Sequence, residues 1–245
     1  MTKRRILQLS GNDVIGFLQG LITNDIAGIN TSLVYSALLT PQGKYLADFF
    51  LCQTDDGVLL DVAESHGDLV GTRLNMYKLR ADVTVTNSSL HMHRGGGPCP
   101  ADAMLDPRHP DLGWRAYRPT AQTDDHQDWA ALRVALQIPE TGIELTPDSF
   151  ILEMGFERLS GVDFRKGCYV GQEVTARMKH KTDLRKGLAQ VRIKGPAETG
   201  SEITAQGKPV GTLLTRSQDL ALAYLRFDRA TGEMQAGDAT VTRIL

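Results

Sequence analysis

With 245 residues, of which 41% are apolar and 23% charged, the chain can bury a full core without disulfides or a structural metal, which excludes the disordered and fibrous classes. A net charge of −2 argues against coating nucleic acid by bulk charge, and no run approaches the roughly 18 apolar residues that a membrane span requires. The opening MTKRRILQLSGND has too short and too polar an apolar part for a secretory signal, so the expectation is a soluble cytoplasmic protein.

In chain order, RRILQLSG alternates as a strand does, and NDVIGFLQGLI places Val14, Phe17, Leu18 and Leu21 at helical spacing behind Asn12 as the capping candidate. SLVYSALLT and YLADFFL flank PQGK, whose Pro41 and Gly43 supply turn chemistry, and VLLDVA follows the turn QTDDG, which makes an antiparallel meander. From Asp68, residues Val70, Leu74 and Tyr77 mark a helix face ending near Arg80, and ADVTVTN returns as a strand because its β-branched residues alternate. The stretch RGGGPCPADAMLDPRHPDLG is dense in Gly and Pro and reads as a surface loop. LGWRAYR is then a strand. DDHQDWAALRVALQI is a helix with Trp129, Leu132 and Leu136 on one face, and SFILEMGFERL is a further helical candidate. Beyond a boundary near Leu184, GLAQVRI, GKPVGTLLTRS, LALAYLRF and ATVTRI are short strands in the pattern of a small barrel or sandwich.

The chemistry concentrates in KGCYVGQE, residues 166–173. Gly167 and Gly171 flank Cys168, Tyr169 and Val170, so backbone can approach a partner closely on both sides; a tight turn whose Cys and Tyr merely pack is the plain alternative. Arg165 to Lys186 carries a net +5, leaving −7 on the rest of the chain. A solvated basic face is the bland account of such a run, and a site for an anionic ligand is the functional one. Lys166 and Arg165 would stabilise a Cys168 thiolate, whereas Cys52, in the apolar run FFLC, reads as a small hydrophobe. His91, His93 and Cys99 are too few ligands for a zinc site, and no metal is assigned.

KGCYVGQEVTAR, preceded by LSGVDF, resembles the KGCYxGQE motif of the YgfZ family, folate-binding proteins of iron-sulfur cluster assembly and repair that are similar in fold to the aminomethyltransferase, or T-protein, of glycine cleavage. The likeness runs outward through FLQGLITNDI, LTPQGKYLADFFL, YKLRADVTV, QDWAALRVALQIPE, GKPVGTLLTRS and LALAYLR. It implies an α+β chain of three small domains in a ring around a central folate channel, with a C-terminal β-barrel. The boundaries are an N-terminal T-protein-like domain at 1–95, a central domain at 96–184 carrying the motif, and the barrel at 185–245. It implies tetrahydrofolate as cofactor. Trp129 would stack on a ring of the folate, Lys166 and Arg177 would meet its tail carboxylates, Gln172 and Glu173 would supply hydrogen bonds, and Tyr169 would complete the contacts. Cys168 is the catalytic candidate, a thiol beside the bound folate.

Two departures from the family pattern bear on activity. A second family tryptophan has no counterpart in the strand RRILQLSG, and the hairpin PQGKYLADFF carries Ala47 before a single Asp48 where aminomethyltransferases have paired aspartates. The leading expectation is therefore an accessory protein acting on iron-sulfur client or assembly proteins, a transferase-like chain whose turnover the sequence leaves open. A folate-dependent one-carbon transferase is the alternative. A tRNA-modification accessory is a third reading, permitted by the local +5 and disfavoured by the global acidity.

Overall fold

The structure, a computed structural model, describes residues 3–123, 127–181 and 184–244. It divides into two compact units, Met1–Gln127 with Phe156–Val174, and Asp128–Gly155 with Thr175–Leu245. The chain leaves the first unit after Gln127 and returns to it at Phe156, so residues of the stretch 96–184 are shared between the two.

The first unit runs β1 (Arg4–Ser10), α1 (Val14–Gln19), β2 (Val34–Leu39), β3 (Tyr45–Thr54), β4 (Gly57–Ala63), α2 (Gly67–Tyr77), β5 (Thr84–Asn87), β6 (His91–Gly95), β7 (Met104–Leu105) and β8 (Trp114–Arg118). Strands β2-β3-β4-β1-β5 form one antiparallel sheet, and β6-β8-β7 form a second. The two-residue period sorts the side chains of β3. Ala47, Phe49 and Leu51 join Val14, Leu18, Val70 and Leu74 of the helices in one core, while Asp48, Phe50 and Cys52 point to the other face.

That other face holds buried charge. Asp61 of β4 accepts hydrogen bonds from Arg4 Nε at 2.6 Å, Arg115 Nη1 at 3.1 Å and the Tyr117 hydroxyl at 3.2 Å. Asp106 receives Arg115 Nε at 2.9 Å and both Nε and Nη2 of Arg108 at 3.0 and 2.8 Å. The Arg115 and Arg108 guanidiniums lie 3.8 and 4.8 Å from the centre of the Phe50 ring, so an aromatic face supports the same cations. Asp48 accepts from the hydroxyls of Tyr45 at 2.6 Å and Tyr35 at 3.0 Å. Three arginines thus face three carboxylates, which is what allows charges to stay out of water.

Several local expectations are corrected. Asn12 does not cap α1; its side-chain amide donates to Asp82, and the helix starts behind Asp13. Helix α2 stops at Tyr77 rather than near Arg80, because Leu79 takes a left-handed φ of +43°. SFILEMGFERL forms successive turns, since Gly155 within it and Ser160 directly after it hold φ values of +81° and +53° that no right-handed helix can include.

The second unit contains α3 (Trp129–Leu136), the part of α4 (Gln172–Lys181) from Thr175 on, its first three residues belonging to the first unit, and six strands, β9 (Lys186–Lys194), β10 (Glu202–Ala205), β11 (Lys208–Ser217), β12 (Leu220–Arg226), β13 (Glu233–Ala236) and β14 (Ala239–Arg243). The strands close into an antiparallel barrel in the order β10-β11-β12-β9-β14-β13, filled by residues such as Val191, Ile203, Leu213, Leu225, Met234 and Val241. The C-terminal β-barrel expected from the resemblance is therefore present, within an α+β chain that has few helices. The four-residue strands β10 and β13 escaped the sequence reading because each offers only two inward positions. Helix α3 starts at Trp129 behind Asp128, whose carboxylate accepts from the Ala131 N–H; the expected earlier start at Asp124 to His126 lies outside the described residues. Its buried residues are Arg133 and Val134, while Trp129, Leu132 and Leu136 are only half-buried. Arg133 turns inward because Glu140 and Glu144 receive its guanidinium at 3.0 and 3.2 Å.

Burial by itself would push the Asp106 carboxyl up, but Arg108 and Arg115 outweigh it and hold the group well below the usual carboxylate range. A carboxyl depressed in the folded state stabilises the protein fully above its unfolded value of about 4, and that contribution is lost as pH falls further. Asp106→Asn should cost about 3 kcal/mol at pH 7. It should also flatten the decline in stability between pH 5 and 3, as measured by urea unfolding at each pH.

Candidate functional site

The motif loop is held by a buried cation. Lys166 is 8% exposed, and its ammonium donates to the carbonyls of Ile22 at 2.5 Å, Gln19 at 2.8 Å and Asn24 at 3.1 Å. Burial draws this amine down to about 8, while Asp25 and Asp163 pull it up, so it remains mostly protonated at neutral pH. Its three protons are directed at backbone, a different task from the ligand-tail contact expected of it.

Around that cation the turn after α1 and the segment before the motif are joined. The Thr23 hydroxyl donates to the Gly161 carbonyl at 2.7 Å, Asp163 N–H donates to the Thr23 carbonyl at 3.1 Å, and the Asn24 side-chain amide donates to the Ser160 carbonyl at 2.7 Å. The hairpin turn between β2 and β3 closes the other side. Gly171 has φ +84°, and a β-carbon there would lie 2.6 Å from the Thr40 carbonyl oxygen; one on Gly43, at φ +75°, would lie 2.8 Å from the Val174 side chain. LITNDI, TPQGK and LSGVDFRKGCYVGQE, distant in sequence, are one assembly within the first unit.

The two glycines of the motif are not equivalent. Gly171 is required by its backbone and by the close approach of the hairpin, but a β-carbon on Gly167 would meet nothing within 4 Å. The expected close approach thus exists on one side only, and its partner is the protein's own hairpin.

Between the fixed points, Cys168 is exposed and Tyr169 is 7% exposed, its ring 5.0 Å from the Lys166 nitrogen. Gln172 and Glu173 occupy the first turn of α4, half-buried and exposed respectively, where a carboxylate is favoured by the helix dipole. Arg165 places a side chain that is 94% exposed next to the motif. Trp129, half-buried at the start of α3, and Arg177, exposed on α4, belong to the second unit, so the first unit brings together five of the seven expected residues. Cys52 is buried with its thiol pushed up to about 12 by burial and by Asp61, which suits a packing residue; Cys99 is exposed, and its thiol faces the Pro100 and Ala103 carbonyls. His93 is turned inward, with Nε2 2.6 Å from the Thr120 carbonyl.

The sequence reading missed the buried residues Tyr35, Tyr45, Asp61 and Arg115 and the partly buried Arg108. Single aspartates inside LADFFLC and VLLDVA were a signal, because an acid in a fully buried strand requires a partner.

Comparison with known proteins places this arrangement. The chain is 30% identical to the mitochondrial iron-sulfur cluster assembly factor IBA57 of Mus musculus, a match covering 94% of this chain and 78% of that one. The chain belongs to the IBA57 family. The corresponding factor of Homo sapiens is 29% identical with the same coverage, and the mitochondrial IBA57 homolog of Mycosarcoma maydis is 28% identical over 92% of this chain and 72% of its own. A family model described as the CAF17 C-terminal β-barrel domain matches residues 185–245. These relatives carry the IBA57 name rather than that of YgfZ, the related family whose motif the sequence resembles, and they are named as mitochondrial. Among solved structures, the glycine cleavage system aminomethyltransferase T of Bartonella henselae superposes with a TM-score of 0.80 over 99% of this chain and 83% of that one; at 12% identity this shows a shared fold. Among the described residues no helix is long and apolar enough to cross a membrane.

If Lys166 and Gly171 hold the loop, their substitutions should be costly and that of Gly167 should not. Lys166→Met strips three carbonyls of a charged donor and should lose about 3 kcal/mol. Gly171→Ala, clashing at a left-handed position, should lose about 2 kcal/mol or more, while Gly167→Ala stays within about 0.5 kcal/mol. Urea unfolding of the three variants tests the ranking.

Proposed function

We propose that this chain serves the assembly or repair of iron-sulfur clusters in other proteins, using Cys168 as its reactive thiol and a reduced folate as its ligand. The observation that carries the reading is the placement of Cys168. Its thiol is exposed on a loop whose neighbours are fixed, by the Lys166 ammonium on one side and by Tyr169 and the Gly171 contact on the other. A thiol presented in this way can bind the iron of a cluster in transit as thiolate, releasing its proton to water, without the loop having to order first. The kinship with assembly factors supports the same reading. The folate rests on the resemblance of the motif. Since Lys166 spends its protons on backbone, the exposed cation next to the motif in the first unit that could meet tail carboxylates is Arg165.

A one-carbon transferase is less well supported. Asp48, the hairpin carboxylate, is 5% exposed and already accepts from Tyr35 and Tyr45, and burial together with the Asp48 charge pushes the Tyr35 phenol up, which keeps it a donor. A carboxylate engaged in this way is poorly placed to take a proton from a substrate.

Two measurements test the proposal. Tetrahydrofolate should bind with a Kd in the micromolar range, about −8 kcal/mol, and a calorimetric titration without heat at millimolar ligand would rule the folate out. In cells lacking the gene, Cys168→Ser should fold yet fail to restore a dehydratase or radical iron-sulfur enzyme. Full restoration by that variant would remove the thiol from the mechanism.

A further inference from the structure

Helix α2 ends on a residue that the fold does not need there. Leu79, two positions past the last helical residue, holds φ +43° and is 88% exposed. Glycine or asparagine is the usual occupant of a left-handed helix exit, because any larger β-carbon is crowded in that conformation. A leucine at this point therefore carries a conformational cost, and it regains nothing by burial.

It is not an isolated exception. Leu69, Arg73 and Met76 follow one another at helical spacing on the outer side of α2, away from the buried Val70 and Leu74, and Leu79 and Arg80 extend the row past the helix end. Leu69 and Met76 are 37% and 51% exposed. Among the described residues neither Arg73 nor Arg80 has an ion-pair partner. The carboxylates nearest in sequence are engaged elsewhere: Asp68 pairs with Arg5, Asp82 receives both the backbone and side-chain N–H of Asn12, and Asp13 receives the Asp82 N–H. Lys78 donates to the Val83 carbonyl. The row combines three apolar side chains with two guanidiniums that have no ion-pair partner among the described residues.

We infer that this edge of α2, Leu69, Arg73, Met76, Leu79 and Arg80, docks a partner protein whose recognition segment places carboxylates beside apolar side chains. Leu79 is the anchor. Its left-handed backbone projects the side chain beyond the helix, and burial in the complex recovers what the conformation costs. Arg73 and Arg80 meet the carboxylates, which gives the contact its orientation and favours a bidentate acid over a neutral surface. A lipid surface fits less well, since interfacial helices carry a continuous wide apolar face and here the row offers only three apolar side chains, interrupted by Arg73 and ended by Arg80. This inference is independent of the folate and thiol readings.

The test uses the full chain in living cells, with a photo-cross-linking residue at position 76. The expected result is cross-linking to a single protein, at a peptide that contains apolar residues flanked by Asp or Glu. Arg73→Glu with Arg80→Glu should abolish that cross-link. Leu79→Gly should move two quantities in opposite directions: the Tm of the isolated protein rises by about 2–4 °C as the strained position is relieved, and the cross-link falls at least about tenfold as the anchor is lost. A fall in Tm on Leu79→Gly would make the leucine a packing residue and overturn the proposal. Cross-links to lipid, to many unrelated proteins or to none, or a cross-link that survives the charge reversal, would overturn it equally.

Discussion

An ammonium group held against three backbone carbonyls is the interaction on which the site depends. A helix-to-strand turn such as Gln19 to Asn24 leaves several carbonyls pointing the same way, and a buried carbonyl without a donor is costly. Lys166 answers them from a position more than 140 residues later in the chain, and that fixes where the motif must lie. Once it is there, the Thr23 and Asn24 hydrogen bonds align the preceding segment, and Gly171 can pass under the hairpin only because it has no side chain. The exposure of Cys168 follows from these constraints on either side of it.

The two sheets of the first unit are joined through charge as well as through apolar contact. Asp61 of β4 receives Arg115 and Tyr117 of β8, two strands that share no backbone ladder, with Phe50 beneath the Arg115 guanidinium. Such a network gives modest net stability, yet it tolerates no single deletion, because the remaining partner would be a buried unpaired charge. It also separates the functions of the carboxylates. Those in this network are occupied by arginine or tyrosine, whereas Glu173 and the thiol of Cys168 face solvent.

The chain shares its fold with an aminomethyltransferase and its family with iron-sulfur assembly factors, and a fold by itself does not fix the chemistry done on it. In this chain the hairpin carboxylate is held by two phenols, and the motif presents an exposed thiol, Cys168. A carboxylate that takes a proton from a substrate must be free of other donors, so these side chains bear on function more than the common backbone does.

The long patterns were legible because burial imposes a period of two on strands with one wet face, as in β1 and β9, a helical period on α2, and continuous apolar runs bounded by turns on the doubly buried β2 to β4. The motif was legible as a cluster of unusual residue types, and Cys168 could be separated from Cys52 by its neighbours alone. The direction of Lys166 was not, since a lysine beside a glycine loop reads equally as a ligand cation or as a structural one until its acceptors are known. Nor was the failure of residues 150–160 to form a helix, because Ser160 has no local reason to take a positive φ; the turn is required by Asn24 and Thr23, which receive that segment. Sequence determined which residues could act, through their chemical types and periods. Tertiary structure decided which of them are already engaged, because hydrogen-bond partners more than a hundred residues apart leave no periodic trace in the chain.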